Sequence, residues 1–208
     1  MGAINPPVIK DLGQQDYQTT WQAMQAFTSS RNNDSEDQIW IVEHPPVFTL
    51  GRNGKKEHIL HQTDIPIINT DRGGQVTYHG PGQLVIYILL DLHRLNLGIR
   101  QLVTLIEDSL IQLLGKYAIK AYSEPKAPGV YVDGSKIAAL GLRVSKGRTT
   151  HGLSLNVDMD LSPFEAINPC GYKGLTITQC RDVGINEPIP KLAEQLIQIF
   201  NQKLLLNK

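Results

Sequence analysis

Cysteine is nearly absent from this sequence: Cys170 and Cys180 are the only two among 208 residues. Two thiols cannot build a disulfide framework, so free thiols in a reducing cytoplasm are expected. An excess of one charge is missing as well. Lys plus Arg and Asp plus Glu number 20 each, giving zero net charge with His neutral. That excludes a general nucleic-acid binder, which carries a basic surplus. Two local basic clusters remain, Arg52, Lys55 and Lys56, and Arg143, Lys146 and Arg148. No apolar run approaches the roughly 20 residues that cross a bilayer. The N-terminal MGAINPPVIKDLG lacks the basic stretch and apolar core of a secretion signal. Pro6 stands where a myristoylation motif carries Ser or Thr. Repeats, low-complexity tracts and Ser/Gly/Pro linkers are also missing. With 41% hydrophobic residues, a single globular domain over residues 1–208 is expected, monomeric, with no membrane and no nucleic-acid partner.

What is present reads as a mixture of helices and strands. Asp16 to Arg31 spaces Tyr17, Trp21, Met24 and Phe27 as one helical face. Gln38 to Glu43 and Val47 to Leu50 read as short strands divided by Pro45-Pro46, and Ile65 to Asn69 as another. Leu84 to Leu92 is almost wholly apolar, as in a strand buried on both faces. Arg100 to Tyr117 carries its apolar residues on one helical stripe. Strand patterns follow at Pro128 to Val132, Lys136 to Val144 and Gly152 to Val157, joined by Asp133-Gly134 and Lys146-Gly147; Asp-Gly is a strong hairpin cue. Pro190 to Leu206 closes as a helix with proline in its first turn. Strands and helices do not alternate strictly, which favours an α+β or mixed-sheet α/β domain over a Rossmann fold.

Three places draw attention as chemistry. Residues 72 to 84, RGGQVTYHGPGQL, hold four glycines, a proline and a histidine, poor material for a helix or strand interior. The stretch has neither standard phosphate-loop spacing. It reads either as a place where backbone approaches a ligand or as a tight turn at a sheet edge. Cys170, between Pro169 and Gly171, reads as a loop thiol, incidental or reactive; Cys180 reads as structural. Lys136 follows the Asp133-Gly134 turn, a position where most lysines are merely solvated. His79 and His151 each precede a glycine. A zinc site from His79, His151 and Cys170 lacks any recognised ligand spacing, and no cofactor is expected.

Taken in order, RGGQVTYHGPGQL, GSKIAALGLRV, HGLSLNV and NPCGY, with EHPPVFTLGR at residues 43–52, resemble the octanoyltransferases of lipoate biosynthesis over about residues 40–180. The resemblance implies the catalytic fold of biotin protein ligases and lipoate ligases, a mixed sheet flanked by helices. It implies transfer of an octanoyl group from octanoyl-acyl carrier protein to a lysine of lipoyl domains, those of 2-oxoacid dehydrogenases and the glycine cleavage H protein. No ATP is consumed, because the donor thioester is already activated. The family's Cys–Lys dyad falls on Cys170 and Lys136. The acyl pocket would be walled by Arg72, Gly73, Gly74, Gln75, Val76, Thr77, Tyr78 and His79, by Ala139, Leu140 and Gly141, and by Gly152, Leu153 and Ser154. His79 and His151 would hold loops or position the thioester. Whether Lys136 stabilises a thiolate as a cation or acts as a neutral base is open at this level. So are three rivals: an ATP-dependent ligase on the same scaffold, a cysteine thioesterase, and an acyl-binding protein with an inert thiol.

Overall fold

The computed structural model describes residues 5–125 and 127–206. In chain order it comprises β1 (Val8–Gln14), α1 (Tyr17–Ser30), β2 (Gln38–Glu43), β3 (Val47–Leu50), β4 (Ile67–Asn69), β5 (Val76–His79) and β6 (Gln83–Leu89). Then come α2 (Leu92–Leu95), α3 (Ile99–Gly115), β7 (Tyr122–Ser123), β8 (Gly129–Val132), β9 (Ser135–Ser145), β10 (Arg148–Asn156) and α4 (Ile189–Leu206). Seven strands form one sheet in the order β1-β2-β6-β10-β9-β8-β7; β4-β3-β5 form a second, smaller one. The large sheet is antiparallel except for the parallel pair β1–β2. The mixed α/β class expected from the sequence is the one observed.

β6 shows why its sequence is continuously apolar. Leu84, Ile86 and Ile88 join the main core with α3 and α4, while Val85, Tyr87 and Leu89 join Met24 of α1 and Trp40 of β2 on the other face. Successive side chains leave a strand on opposite sides, so a strand covered on both must be apolar throughout. Each buried Leu or Ile contributes about 1.5–3 kcal/mol. The run does not extend to Leu92 as a strand, however. Asp91 accepts a hydrogen bond from the Arg94 N–H (3.1 Å), capping α2, and Leu92 starts a helix. At α1, Asp16 does the same for Thr19 at 2.8 Å.

The glycine-rich stretch also differs from expectation, since Val76–His79 is a strand, pairing antiparallel with β3. Its flanks hold the glycines. At Gly82, φ is +84° and a Cβ would strike the Asp158 carbonyl oxygen, so only glycine closes the turn into β6. No helix among the described residues is long and apolar enough to cross a membrane.

Candidate active site

Lys136 stands at the start of β9, and its backbone is held on both sides. Its N–H donates to the Thr176 carbonyl (2.9 Å), and the Thr178 N–H donates to the Lys136 carbonyl (3.0 Å). This short parallel bridge through Ile177 draws the segment after Cys170 against the sheet. On the other side, pairing with β8 slips by a residue between Val130 and Tyr131, so that Tyr131 sits opposite Lys136. Bulges of this kind re-aim side chains. Lys136 is only 3% exposed, unlike an ordinary strand-start lysine.

The ammonium is fully engaged. Nζ donates to the Pro128 carbonyl at 3.1 Å and to Cys170 Sγ at 3.2 Å. It also lies 5.1 Å from the centre of the Tyr131 ring and interacts with that side chain's hydroxyl. Three donors facing three partners suit a protonated amine, which has no acceptor to offer. Burial opposes the charge, but Cys170 and Tyr131 outweigh it, so Lys136 titrates above its ordinary value. Gly129 makes room for this contact. Its φ is +144°, and a Cβ there would come within 3.0 Å of Lys136 Cε.

Cys170 lies 34 residues away in sequence, in a 3-10 turn (Pro169–Gly171). Its backbone is left-handed, φ +56°, a conformation that costs a non-glycine residue about 1–3 kcal/mol. The turn is tied by Gly171 N–H to Asn168 O (2.9 Å) and by Asn168 N–H to His58 O (2.8 Å). Cys170 is half-buried, whereas Cys180 is fully buried, and burial pushes the Cys180 thiol up to about 12. The two cysteines thus have opposite surroundings, as the sequence reading distinguished them.

Lys136 and Cys170 both line a cavity of about 480 Å³. Its floor comes from β9 and β10, where register places Ala139 opposite Ser154 and Gly141 opposite Gly152, a surface of small side chains. Leu140 and Leu153 also reach it, and Gly73, Gly74, Gln75, Val76, Thr77 and His79 form the facing wall. Tyr78 does not join them. It points into a separate core with Phe48 and Phe164, because successive strand residues face opposite sides and Thr77 and His79 take the cavity side; Val76, on the face of Tyr78, packs in the same core and also borders the cavity.

Arg72 lines the cavity as a clamp. It donates to Thr49 O (2.6 Å), Thr49 Oγ1 (2.9 and 3.0 Å), Gly73 O (2.8 Å) and Gln75 O (2.7 Å). All these acceptors are neutral, so the buried cation leaves a positive potential in the cavity; burial lowers its titration, and Tyr17 and Cys170 act in the opposite direction.

His151 sits at the far end. His151 is opposite Leu142, six residues from Lys136 along β9, or roughly 17–20 Å of strand. It bonds Asp71 through Nε2 (2.8 Å), and Asp71 also receives the Trp21 indole N–H (2.7 Å) and pairs with Arg143. His79 bonds Gln83 (2.7 Å) and stacks on Tyr17. His44 bonds Tyr87 (2.6 Å). These bonds fit loop-holding, and His79 and His151 both line the cavity. Tyr17, Tyr87, Tyr131 and Glu107 escaped sequence reading; Tyr17 was seen only as part of a helix face, and nothing local marks the other three.

Burial lowers the titration of His44, His79 and His151, His79 to about 3. All three are neutral in the fold at neutral pH. The unfolded chain therefore binds more protons below the ordinary value of 6.5, so stability is present above it and is lost as pH falls. Each histidine contributes up to about 1.4 kcal/mol per pH unit in that window. Urea midpoints should thus fall steeply from pH 6.5 towards pH 4, and less steeply in His79→Gln. A flat wild-type profile would contradict this burial pattern.

Comparisons with known proteins agree with the geometry. Residues 16–201 match the lipoyl protein ligase A/B catalytic domain. An octanoyltransferase of Shewanella oneidensis is 61% identical over 94% of this chain and 90% of its own length. In structure, a bipartite lipoate protein ligase of Thermoplasma acidophilum superimposes with a TM-score of 0.76 at 15% identity, covering 96% of this chain and 84% of the other. The biotin protein ligase of Aquifex aeolicus does so at 0.54 and 13%, covering 97% and 70%; both likenesses show the fold. This chain belongs to the octanoyltransferase family, acyltransferases built on the lipoyl protein ligase A/B catalytic domain.

Proposed function

We propose that this chain moves an octanoyl group from octanoyl-acyl carrier protein to a lysine of a lipoyl domain, by way of a thioester on Cys170. The observation that carries the reading is the 3.2 Å contact between Lys136 Nζ and Cys170 Sγ at the edge of a cavity with a small-residue floor. The geometry favours the cation description of Lys136. A thiolate–ammonium pair attacks the donor thioester, and the carrier's thiolate leaves with a proton from Lys136. Lys136, now neutral, takes a proton from the acceptor amine as it attacks the acyl-enzyme, and Cys170 departs as thiolate. Both protons are accounted for, and the starting pair is restored. Thioester for thioester exchange needs no ATP, and no cofactor enters. Backbone N–H groups of the cavity walls are the donors we assign to the tetrahedral oxyanion. The acceptors are the lipoyl domains of 2-oxoacid dehydrogenases and the glycine cleavage H protein, and the setting is the cytoplasm.

The test is transfer from octanoyl carrier protein to a lipoyl domain without nucleotide. The proposal expects lipoyl-domain octanoylation under those conditions. Transfer that requires free octanoate and ATP would make the chain a ligase; octanoate released to water with the acceptor present would make it a thioesterase.

The donor carrier is expected to be acidic, so a neutral enzyme needs a local basic surface. Arg52, Lys55 and Lys56 are exposed and flank Asn53, which lines the cavity. The second cluster is spent internally: Arg143 pairs with Asp71 and Arg148 with Asp91 (3.5 Å), leaving Lys146 exposed. The Arg52→Glu/Lys56→Glu variant should raise KM for the carrier several-fold and flatten its rise with salt, while Lys146→Glu changes little. Equal salt slopes in all three proteins would show that the Arg52 cluster does not steer the donor.

A further inference from the structure

One peptide group connects the dyad to a carboxylate outside the cavity. The Pro128 carbonyl accepts from Lys136 Nζ at 3.1 Å. The N–H of the same peptide unit, that of Gly129, donates to Glu107 Oε1 at 2.9 Å. A peptide dipole therefore has the ammonium at its negative end and a carboxylate at its positive end. Each charge favours the orientation the other requires, and hydrogen bonds in such a chain polarise one another.

We propose that Glu107, on α3, is a positioning residue that holds Lys136 charged and aimed at Cys170 through the Pro128–Gly129 peptide. Glu107 is partly buried, a costly place for a carboxylate that serves no charge. Burial raises its titration, while Gly129 and Lys136 work in the opposite direction. The site is built around the relay. Gly129 has the positive φ that this peptide orientation needs, and a side chain there would meet Lys136. Tyr131 donates its hydroxyl proton to the Ala127 carbonyl at 2.7 Å, which fixes the preceding residue and leaves the phenol oxygen as an acceptor for Lys136. The titratable groups facing Lys136 are thus Cys170 from the turn, Tyr131 from β8 and Glu107 from α3. Asp108 and Tyr172 act one step out, on Glu107 and Tyr131.

The role assigned to Glu107 rests on the proposed acyl-transfer reading, but its test does not depend on activity. Glu107→Gln keeps an acceptor of the same size for the Gly129 N–H and removes only the charge. With lysine labelled at the side chain, the Lys136 resonance is identified by its loss in Lys136→Met and followed against pH by NMR. Loss of a nearby negative charge should lower the Lys136 midpoint by about half a unit or more. The alkaline limb of kcat/KM should move down with it, and the thermal midpoint should stay unchanged. Glu107→Asp, which keeps the charge, should restore part of the shift. An unmoved Lys136 midpoint in Glu107→Gln would overturn the proposal and leave Glu107 a plain backbone acceptor. Absence of transfer activity in the wild type, with the Lys136 shift intact, would instead count against the acyl-transfer reading alone.

Discussion

Cys170→Ala will abolish octanoyl transfer, while Cys180→Ala will leave it nearly intact at a stability cost of roughly 1 kcal/mol. The two thiols differ in every respect that governs nucleophilicity. Cys170 is accessible and touches an ammonium. Cys180 is fully enclosed in the main core with its thiol pushed up to about 12, so it stays protonated at working pH. Alkylation at neutral pH should accordingly mark Cys170 alone. On the proposed mechanism, Lys136 would not compensate for the lost thiol, since it would have to act on the thioester without a covalent intermediate. Transfer at wild-type rate by Cys170→Ala would remove the acyl-enzyme from the mechanism.

The second large effect is at Lys136. Lys136→Met keeps most of the buried stem and removes the charge, and transfer should fall by about 10²–10⁴. The Cys170 alkylation midpoint should move to higher pH, since the thiolate loses its cation. Lys136→Arg offers a charge without a proton to give at working pH. The site also lacks room for it, because the Lys136 side chain already lies against Gly129, where even a Cβ would come within 3.0 Å of Cε. Arginine should therefore rescue neither the alkylation midpoint in full nor the rate. An unchanged alkylation profile in Lys136→Met would show that the thiol does not depend on the ammonium.

The elements that the sequence announced are those with local signals. The Asp133-Gly134 turn, the apolar stripe of α3 and the two-faced run of β6 each follow from a period or a turn within a few residues. β1 was invisible for the opposite reason. VIKDLGQ is mostly exposed, and it is a strand because β2 offers it a parallel edge, a non-local fact. β5 hid inside the glycine-rich stretch, where four regular residues are bracketed by irregular ones. At the site, Cys170 and Lys136 were nameable because motifs surround them. Their contact was implied only by the family resemblance and by nothing local, since it depends on the Lys136–Ile177 bridge and on the slip between β8 and β9. Glu107 sits on a helix next to the buried Ile106 and carries no motif; only the fold brings it to Gly129. The basic cluster at Arg143 to Arg148 shows the converse error, where adjacency in sequence masked ion pairs made across the structure.

The covalent intermediate is the claim on which the mechanism turns, and intact mass spectrometry reads it directly. The protein is incubated with octanoyl carrier protein in the absence of a lipoyl domain and of nucleotide, then digested to locate any adduct. A single octanoyl group on the peptide containing Cys170, absent from Cys170→Ala and discharged when a lipoyl domain is added, is the predicted result. Transfer to the lipoyl domain with no adduct on the enzyme, or an adduct at any residue other than Cys170, would contradict it.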